Sequence, residues 1–109
     1  MNTITPQVRQ TITQLCLAIQ RRQVIRIRYN NKWRTVEPYL VGRHNDTDNP
    51  TLRAYYVDAP LEGQPPQRQH WRLFTIEKIE EVAQTTSTFR IRADYDPVDD
   101  NILQVDCRI

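Results

Sequence analysis

The sequence has little of several features that define whole classes of protein. Its two cysteines, Cys16 and Cys107, lie far apart, with no CxxC pair and no Cys/His cluster, so neither a zinc site nor a disulfide framework is indicated. Its two glycines, Gly42 and Gly63, are too few for a glycine-rich phosphate loop. No apolar run approaches the roughly 20 residues of a spanning helix, and the N-terminus lacks a signal-peptide core. We therefore expect one domain over residues 1–109, no membrane, a cytoplasmic location and two reduced, structural thiols.

Patterns typical of enzymes are also missing. There is no GxSxG and no HExxH, and neither His44 nor His70 has an acidic residue at a metal-like spacing. Aspartates crowd the C-terminus: Asp94, Asp96, Asp99, Asp100 and Asp106. Paired carboxylates could serve a divalent-metal nuclease, but a solvated acidic tail is the ordinary structure for such a cluster. We expect a protein that is not an enzyme, with no catalytic residues, no metal and no cofactor.

Lysine is scarce, with 2 against 13 arginines, and the charges are unevenly distributed. Residues 1–57 carry 9 basic and 3 acidic side chains, whereas residues 58–109 carry 6 basic and 10 acidic ones. Two interpretations stay open: the basic half binds an anionic partner, or the two halves pair with each other after folding. The preference for arginine favours recognition, because guanidinium groups bind phosphate in two-point contacts and stack on aromatic rings.

One helix and a set of short strands are predicted. A helix over about 6–22 follows from Thr5 as cap, Pro6 in the first turn and a helical apolar stripe. The remaining apolar runs alternate as strands within about 24–92, and 93–109 forms a C-terminal tail. Asn30 and Asn31 mark a hairpin turn, and Pro38 belongs at an edge or a bulge. Polar loops are expected over 42–50 and 59–69. This order predicts a mainly β fold, a small curled antiparallel sheet or partly closed barrel with the helix against one opening.

Four motifs follow one another along the chain in the order of a known family. An early strand ends in Tyr29, and an Arg-x-Val-x-Pro segment followed by Leu stands at 34–40. The segment WRLFTIEKI at 71–79 matches the family pattern conservatively at Arg72, Phe74, Glu77, Lys78 and Ile79, and Phe89 follows. In these motifs the sequence resembles the WYL domain of bacterial transcriptional and defence regulators, over about residues 12–90. Two departures stand out: LRAYYV (52–57) occupies the place of the Trp-Tyr-Leu strand, and Thr75 replaces an arginine.

This resemblance implies a five-stranded, Sm-like antiparallel β-barrel preceded by a helix. It also implies a ligand-sensing module that binds a nucleotide or single-stranded nucleic acid and modulates a DNA-binding or effector protein, in transcription or in CRISPR and phage defence. With only one helix before the first strand, the chain has no winged helix-turn-helix, so we expect a stand-alone sensor or a fragment. The competing interpretation is an interaction module that docks a protein or a second copy of itself, as a homodimer, through an exposed strand edge.

Arginines and aromatic residues that lie close together in the sequence form the candidate ligand site. Cationic side chains suit phosphates, and flat rings suit unpaired bases. The candidate ligand-binding residues are Arg34, Arg43, His44, Arg53, Tyr55 and Arg72. We expect Arg53 and Arg72 to face the same side of the barrel, with Arg34 or Arg43 at the rim and Tyr55 as a stacking surface. Replacing either Arg53 or Arg72 by alanine should then weaken binding at least tenfold, by roughly 1.5 to 3 kcal/mol, with little change in melting temperature.

Overall fold

The N-terminal helix forms where the sequence predicts it. A computed structural model describes residues 4–57 and 70–109 of the chain. Helix α1 spans Pro6–Arg21, and the Thr5 hydroxyl caps it by accepting a 3.1 Å hydrogen bond from the Val8 amide. Leu15, Ala18 and Ile19 are buried on one stripe of this helix, so its apolar side packs against the sheet as expected.

Six antiparallel strands follow the helix. They are β1 (Gln23–Tyr29), β2 (Lys32–His44), β3 (Pro50–Tyr56), β4 (Trp71–Thr75), β5 (Ile79–Thr88) and β6 (Ile102–Arg108). A 3₁₀ turn over Ile76–Lys78 connects β4 to β5. The hydrogen-bonded order is β4-β3-β2-β1-β5, and β6 pairs with the second half of β2, beyond the part that pairs with β1.

The predicted class, mainly β with an N-terminal helix, is confirmed, whereas the closed five-stranded barrel is not. A sixth strand is present, and within residues 4–57 and 70–109 no ladder joins β4 to β5. The long strand β2 explains the difference, because its 13 residues extend past the 7-residue β1 and leave an edge that β6 covers. Gly42 allows this approach, since a Cβ at that position would lie 2.5 Å from Ile102 Cγ2.

The turn between β1 and β2 and the bulge at Pro38 confirm two local predictions. Asn30 and Asn31 connect β1 to β2, and both have positive φ angles, 54° and 60°, as a two-residue hairpin turn of the primed type requires. Pro38 lies in the middle of β2, where the register to β3 shifts between Pro38 and Leu40. The bulge accommodates a residue that cannot donate a ladder hydrogen bond.

Different parts of the chain pack against the two faces of the sheet. The inner face carries apolar residues such as Ile25, Ile27, Val36 and Phe74, and it packs with α1 into the main core. The opposite face of β2, β3 and β4 is covered by the chain that follows β5. We call residues 89–109 the C-terminal arm, and the sheet surface beneath it the arm-covered face.

The predicted loop at 42–50 and the predicted C-terminal tail both contain strand residues. Strands β2 and β3 extend into the expected loop at 42–50, leaving a short turn at 45–49, and β6 lies within the expected tail 93–109. The loop expected at 59–69 lies outside the described residues.

The expectation of two reduced thiols is wrong, because Cys16 on α1 and Cys107 on β6 form a disulfide. Their separation of 91 residues hid this contact, which the docking of β6 creates.

Candidate functional site

The six candidate residues do not form one site. Arg34 and Arg72 lie together on one face of the sheet, and Arg53 and Tyr55 lie on the arm-covered face. Arg43 and His44 are the last two residues of β2, next to the turn at 45–49. Each group has its own partners.

Arg34 and Arg72 both contact the ring of Tyr56. Their guanidinium carbons lie 5.6 Å and 5.3 Å from the centre of that ring, within the range of cation–π attraction. Arg34 is also 5.7 Å from the ring centre of Tyr29. Tyr56 is only 4% exposed, so the two arginines cover it rather than leaving it open as a stacking platform. We call Arg34, Tyr56 and Arg72 the arginine–tyrosine cluster.

The Nε–H of Arg34 is an unused donor in this cluster. The atom is buried and has no hydrogen-bond acceptor among the described residues, and Arg34 forms no ion pair with them. Tyr29, the second ring that Arg34 contacts, is itself held in place: its hydroxyl accepts a 3.2 Å hydrogen bond from the Thr75 amide, and its ring packs at 5.1 Å against Phe74. Arg34 therefore lies between two buried or half-buried tyrosines, with one guanidinium N–H that has no acceptor among the described residues.

The expectation that Arg53 and Arg72 share a face is wrong. In the pairing of β3 with β4, Ala54 lies opposite Arg72 and Arg53 lies opposite Leu73. Because side chains alternate along a strand, Arg53 and Arg72 point to opposite sides of the sheet. The same alternation separates Tyr55, on the side of Arg53, from Tyr56, on the side of Arg72.

Arg53 is paired inside the protein. Its Nε and Nη2 donate to the two carboxylate oxygens of Asp99 at 2.7 Å and 3.3 Å, and the side chains are 17% and 9% exposed. Burial by itself would raise the pKa of Asp99, but the hydrogen bond from Arg53, the Asn101 amide and the charge of Arg53 together hold that pKa below 3.8. Arg53 is therefore a structural pairing residue in this state.

Tyr55 is covered by Arg92 of the C-terminal arm. The Arg92 guanidinium carbon lies 3.6 Å from the Tyr55 ring centre, and two of its nitrogens donate to the carboxylate of Glu37 at 2.9 Å and 3.0 Å. Burial would lower the pKa of Arg92, but the hydrogen bonds and charge of Glu37 raise it above its ordinary value. The stacking surface predicted for a ligand is thus occupied by the chain's own cation.

Tyr39 lies at the centre of the arm-covered face. Its ring contacts Trp71 at 4.7 Å, Tyr95 at 4.8 Å and Phe89 at 5.2 Å, and its hydroxyl accepts from the Arg92 amide at 3.0 Å. Burial, with the nearby charge of Glu37, raises the pKa of Tyr39 to about 12. This face is a second aromatic core rather than an open surface.

Arg43 and His44 organise the turn between β2 and β3. Arg43 Nη1 donates to the Asp48 carbonyl oxygen at 3.0 Å and lies 3.7 Å from the Asp48 carboxylate. His44 Nδ1 accepts from the Asp46 amide at 3.1 Å. These residues lie at the opposite end of β2 from Arg34, so they do not belong to the arginine–tyrosine cluster.

The acidic half of the chain pairs in part with the basic half. Arg53–Asp99 and Arg28–Glu81, at 3.6 Å, both join a base from residues 1–57 to a later acid. The expectation of a merely solvated acidic tail is wrong for Asp99, and Asp94 also accepts a 2.9 Å hydrogen bond from the Trp71 indole. Folding therefore neutralises part of the uneven charge, while Arg34 stays unpaired among the described residues.

Within residues 4–57 and 70–109, no three His, Cys, Asp or Glu side chains come together as a metal site. No helix in the same ranges has the length and apolar character needed to cross a membrane. His70, the second histidine, is buried, and its Nδ1 lies 3.0 Å from the Tyr56 carbonyl oxygen, so it joins β3 to the start of β4.

Comparison with protein-family models, with curated proteins and with solved structures finds no match to this chain. Sequence reasoning missed Tyr56, Arg92 and Glu37. Strand alternation through LRAYYV gives the signal for Tyr56, because it separates the two adjacent tyrosines. No local pattern connects Glu37 with Arg92, which stand 55 residues apart.

Proposed function

We propose that this protein is a non-enzymatic, WYL-like regulatory domain that binds an anionic nucleotide or single-stranded nucleic acid at the arginine–tyrosine cluster. The single observation that carries the proposal is the pair of guanidinium groups over one buried tyrosine ring, one of them with an unused buried Nε–H. Two cations held near one ring form a positively charged surface that favours phosphate.

The rest of the hairpin supports a ligand of more than one phosphate. Arg26 lies 5.1 Å from the ring centre of Trp33, and Lys32 stands at the tip of the β1–β2 hairpin. Trp33 lies on the outer face opposite Arg28, whereas Arg34 lies opposite Ile27 on the inner face. An extended strand of nucleic acid could contact the cluster and continue around the hairpin tip, where basic and aromatic side chains alternate.

The test is binding of a fluorescently labelled oligothymidylate, and separately of nucleoside monophosphates, at low salt. Affinity should fall as salt rises, with a slope of about −0.7 per phosphate contacted. Arg72→Ala and Arg34→Ala should each weaken binding about tenfold or more and reduce the slope by about 0.7. Arg9→Ala, which removes the same charge from an exposed position of α1, is the matched control and should change little. Absence of binding by the parent protein at low salt would overturn the proposal.

A protein-interaction or homo-oligomerisation module is the second candidate. Within the described residues, β5 pairs only with β1 and β6 pairs only with β2, and β6 exposes Leu103 and Val105 at 57% and 39%. An open edge with apolar side chains suits pairing with a DNA-binding or effector protein, or with a second copy of the chain. Sedimentation that shows a dimer, together with no nucleotide binding, would favour this candidate. The cytoplasmic location, the Sm-like character of the sheet and a role in transcription or phage defence remain parts of the main proposal.

A further inference from the structure

The disulfide joins the end of the C-terminal arm to helix α1. Cys16 lies on α1, and Cys107 lies on β6, near the end of the arm. The start of the arm is held separately, because the Phe89 amide donates to the Arg22 carbonyl oxygen at 2.9 Å. Between these two anchors the arm supplies Arg92 to Tyr55 and Asp99 to Arg53. The disulfide therefore anchors the C-terminal end of the stretch of chain that covers Arg53 and Tyr55.

We propose that the C-terminal arm is a redox-controlled strap, and that reduction of Cys16–Cys107 raises the frequency with which it uncovers Arg53, Tyr55 and Trp71. This inference does not depend on the arginine–tyrosine cluster, which lies on the other side of the sheet. In the oxidised protein the surface concerned is covered, with Arg92 over Tyr55 and Asp99 on Arg53.

Chain entropy explains why the disulfide should act on the arm. With the disulfide intact, an arm that leaves the sheet must form a loop fixed near residue 89 and at Cys107. Once the disulfide is reduced, only noncovalent contacts such as the β2–β6 ladder hold the end of the arm, and when these contacts break the stretch leaves the sheet as an open-ended chain rather than a closed loop. Closing a loop of roughly 15 to 20 residues lowers the population of open conformations by about 100-fold. Reduction of the disulfide should therefore raise the population of the open arm by about the same factor.

The disulfide is accessible to a small reductant. Both cysteines are half-buried and line a groove of about 780 Å³ between α1 and β6, together with Leu17, Gln20 and Asp106. A dithiol supplies the two electrons. One of its thiolates attacks a cysteine sulfur, the S–S bond breaks, and the other cysteine leaves as a thiolate that takes up a proton. The second thiol of the reductant then displaces the first cysteine, leaving two cysteine thiols and an oxidised, cyclic reductant.

The contacts beneath the arm favour local opening over loss of the whole fold. The arm makes polar contacts, such as Arg92–Glu37, Arg53–Asp99 and Trp71–Asp94, together with rings around Tyr39. None of residues 89–101 belongs to the main core of α1 and the inner sheet face, although Cys107 and Ile109 at the end of the arm pack against it as partly buried side chains. The arm can therefore separate while the apolar core stays packed.

Amide hydrogen exchange of the full chain, with and without dithiothreitol, tests this proposal. The Arg92 amide, bonded to the Tyr39 hydroxyl, and the β6 amides report on the arm, and the amides of the β1–β2 ladder report on the core. Reduction should accelerate exchange of the arm amides by about 100-fold and make them faster than the ladder amides. Equal acceleration of both sets, or no change in the arm, would overturn the proposal.

Two variants complete the experiment. The double variant Cys16→Ser with Cys107→Ser should exchange like the reduced protein whether or not dithiothreitol is present. Ile27→Val, a core substitution away from the arm, should accelerate the ladder amides of the oxidised protein and leave the arm amides unchanged. If the reduced protein and the double variant both lose their far-ultraviolet circular dichroism, the disulfide maintains the whole fold and the strap is disproved.

Discussion

The guanidinium of Arg92 lies 3.6 Å from the ring centre of Tyr55, whereas the next residue, Tyr56, is covered on the opposite face by Arg34 and Arg72 at 5.6 Å and 5.3 Å. Adjacent tyrosines of one strand thus both contact arginines, but in different settings. Arg92, which covers Tyr55, also forms an ion pair with Glu37, so its charge is already paired within the protein. Arg34 keeps an unused donor, so the Tyr56 side is the one we assign to a ligand.

Arg53→Ala should destabilise the fold, in contrast to the neutral effect expected from the sequence. The change leaves Asp99, with a side chain that is 9% exposed, without its bidentate partner, and we expect a loss of about 3 kcal/mol in the free energy of unfolding. Urea denaturation measures this loss. Arg28→Ala is the matched control, because the Arg28–Glu81 pair is exposed and should contribute less than about 1 kcal/mol. Equal losses in the two variants would contradict the structural role of Arg53.

The Arg53–Asp99 pair should also make stability depend on acid pH. The pKa of Asp99 is lower in the folded state than its ordinary value of 3.8, so the stabilisation is complete above pH 3.8 and is lost as pH falls through the folded pKa. The difference in unfolding free energy between the parent protein and Asp99→Asn should therefore shrink as pH falls below about 4. A difference that stays constant across this range would show that the carboxylate charge does not stabilise the fold.

Tyr39 should ionise late in an alkaline titration. Its pKa is raised from 10.0 to about 12 by burial and by the charge of Glu37. The neutral phenol therefore stabilises the fold below pH 10, and this contribution is lost as pH rises from 10 to about 12. Phenolate absorbance at 295 nm follows the titration, and Tyr39→Phe should remove the component near pH 12. A variant that titrates like the parent protein would place Tyr39 outside the buried cluster.

Local elements followed from the sequence because their causes are local. Thr5 and Pro6 determine where α1 begins, and the two asparagines determine the β1–β2 turn. The pairing of β3 with β4 could not be predicted in the same way, because residues 57–70 separate the two strands in the sequence and a register shift of one residue moves every side chain to the other face. Because this register is unknown from the sequence, the prediction has Arg53 and Arg72 on one face of the sheet, whereas in the structure they lie on opposite faces.

The arm was unpredictable for a related reason. Sequence patterns indicate amphipathic strands, but they do not show that a polar, aspartate-rich segment will cover an aromatic surface. Arg92, Asp99 and Cys107 find their partners 55, 46 and 91 residues away. Such contacts depend on where β6 docks, and β6 docks on the part of β2 that extends beyond β1.

The most direct test of the central claim is an NMR titration that follows side-chain nitrogens while oligothymidylate is added at low salt. The Nε–H signals of Arg34 and Arg72 report on the arginine–tyrosine cluster, and those of Arg53 and the Trp71 indole report on the arm-covered face. We predict that the Arg34 and Arg72 signals shift in a saturable way while the Arg53 and Trp71 signals stay in place. Shifts confined to Arg53 and Trp71, with Arg34 and Arg72 unchanged, would contradict the assignment of the ligand site.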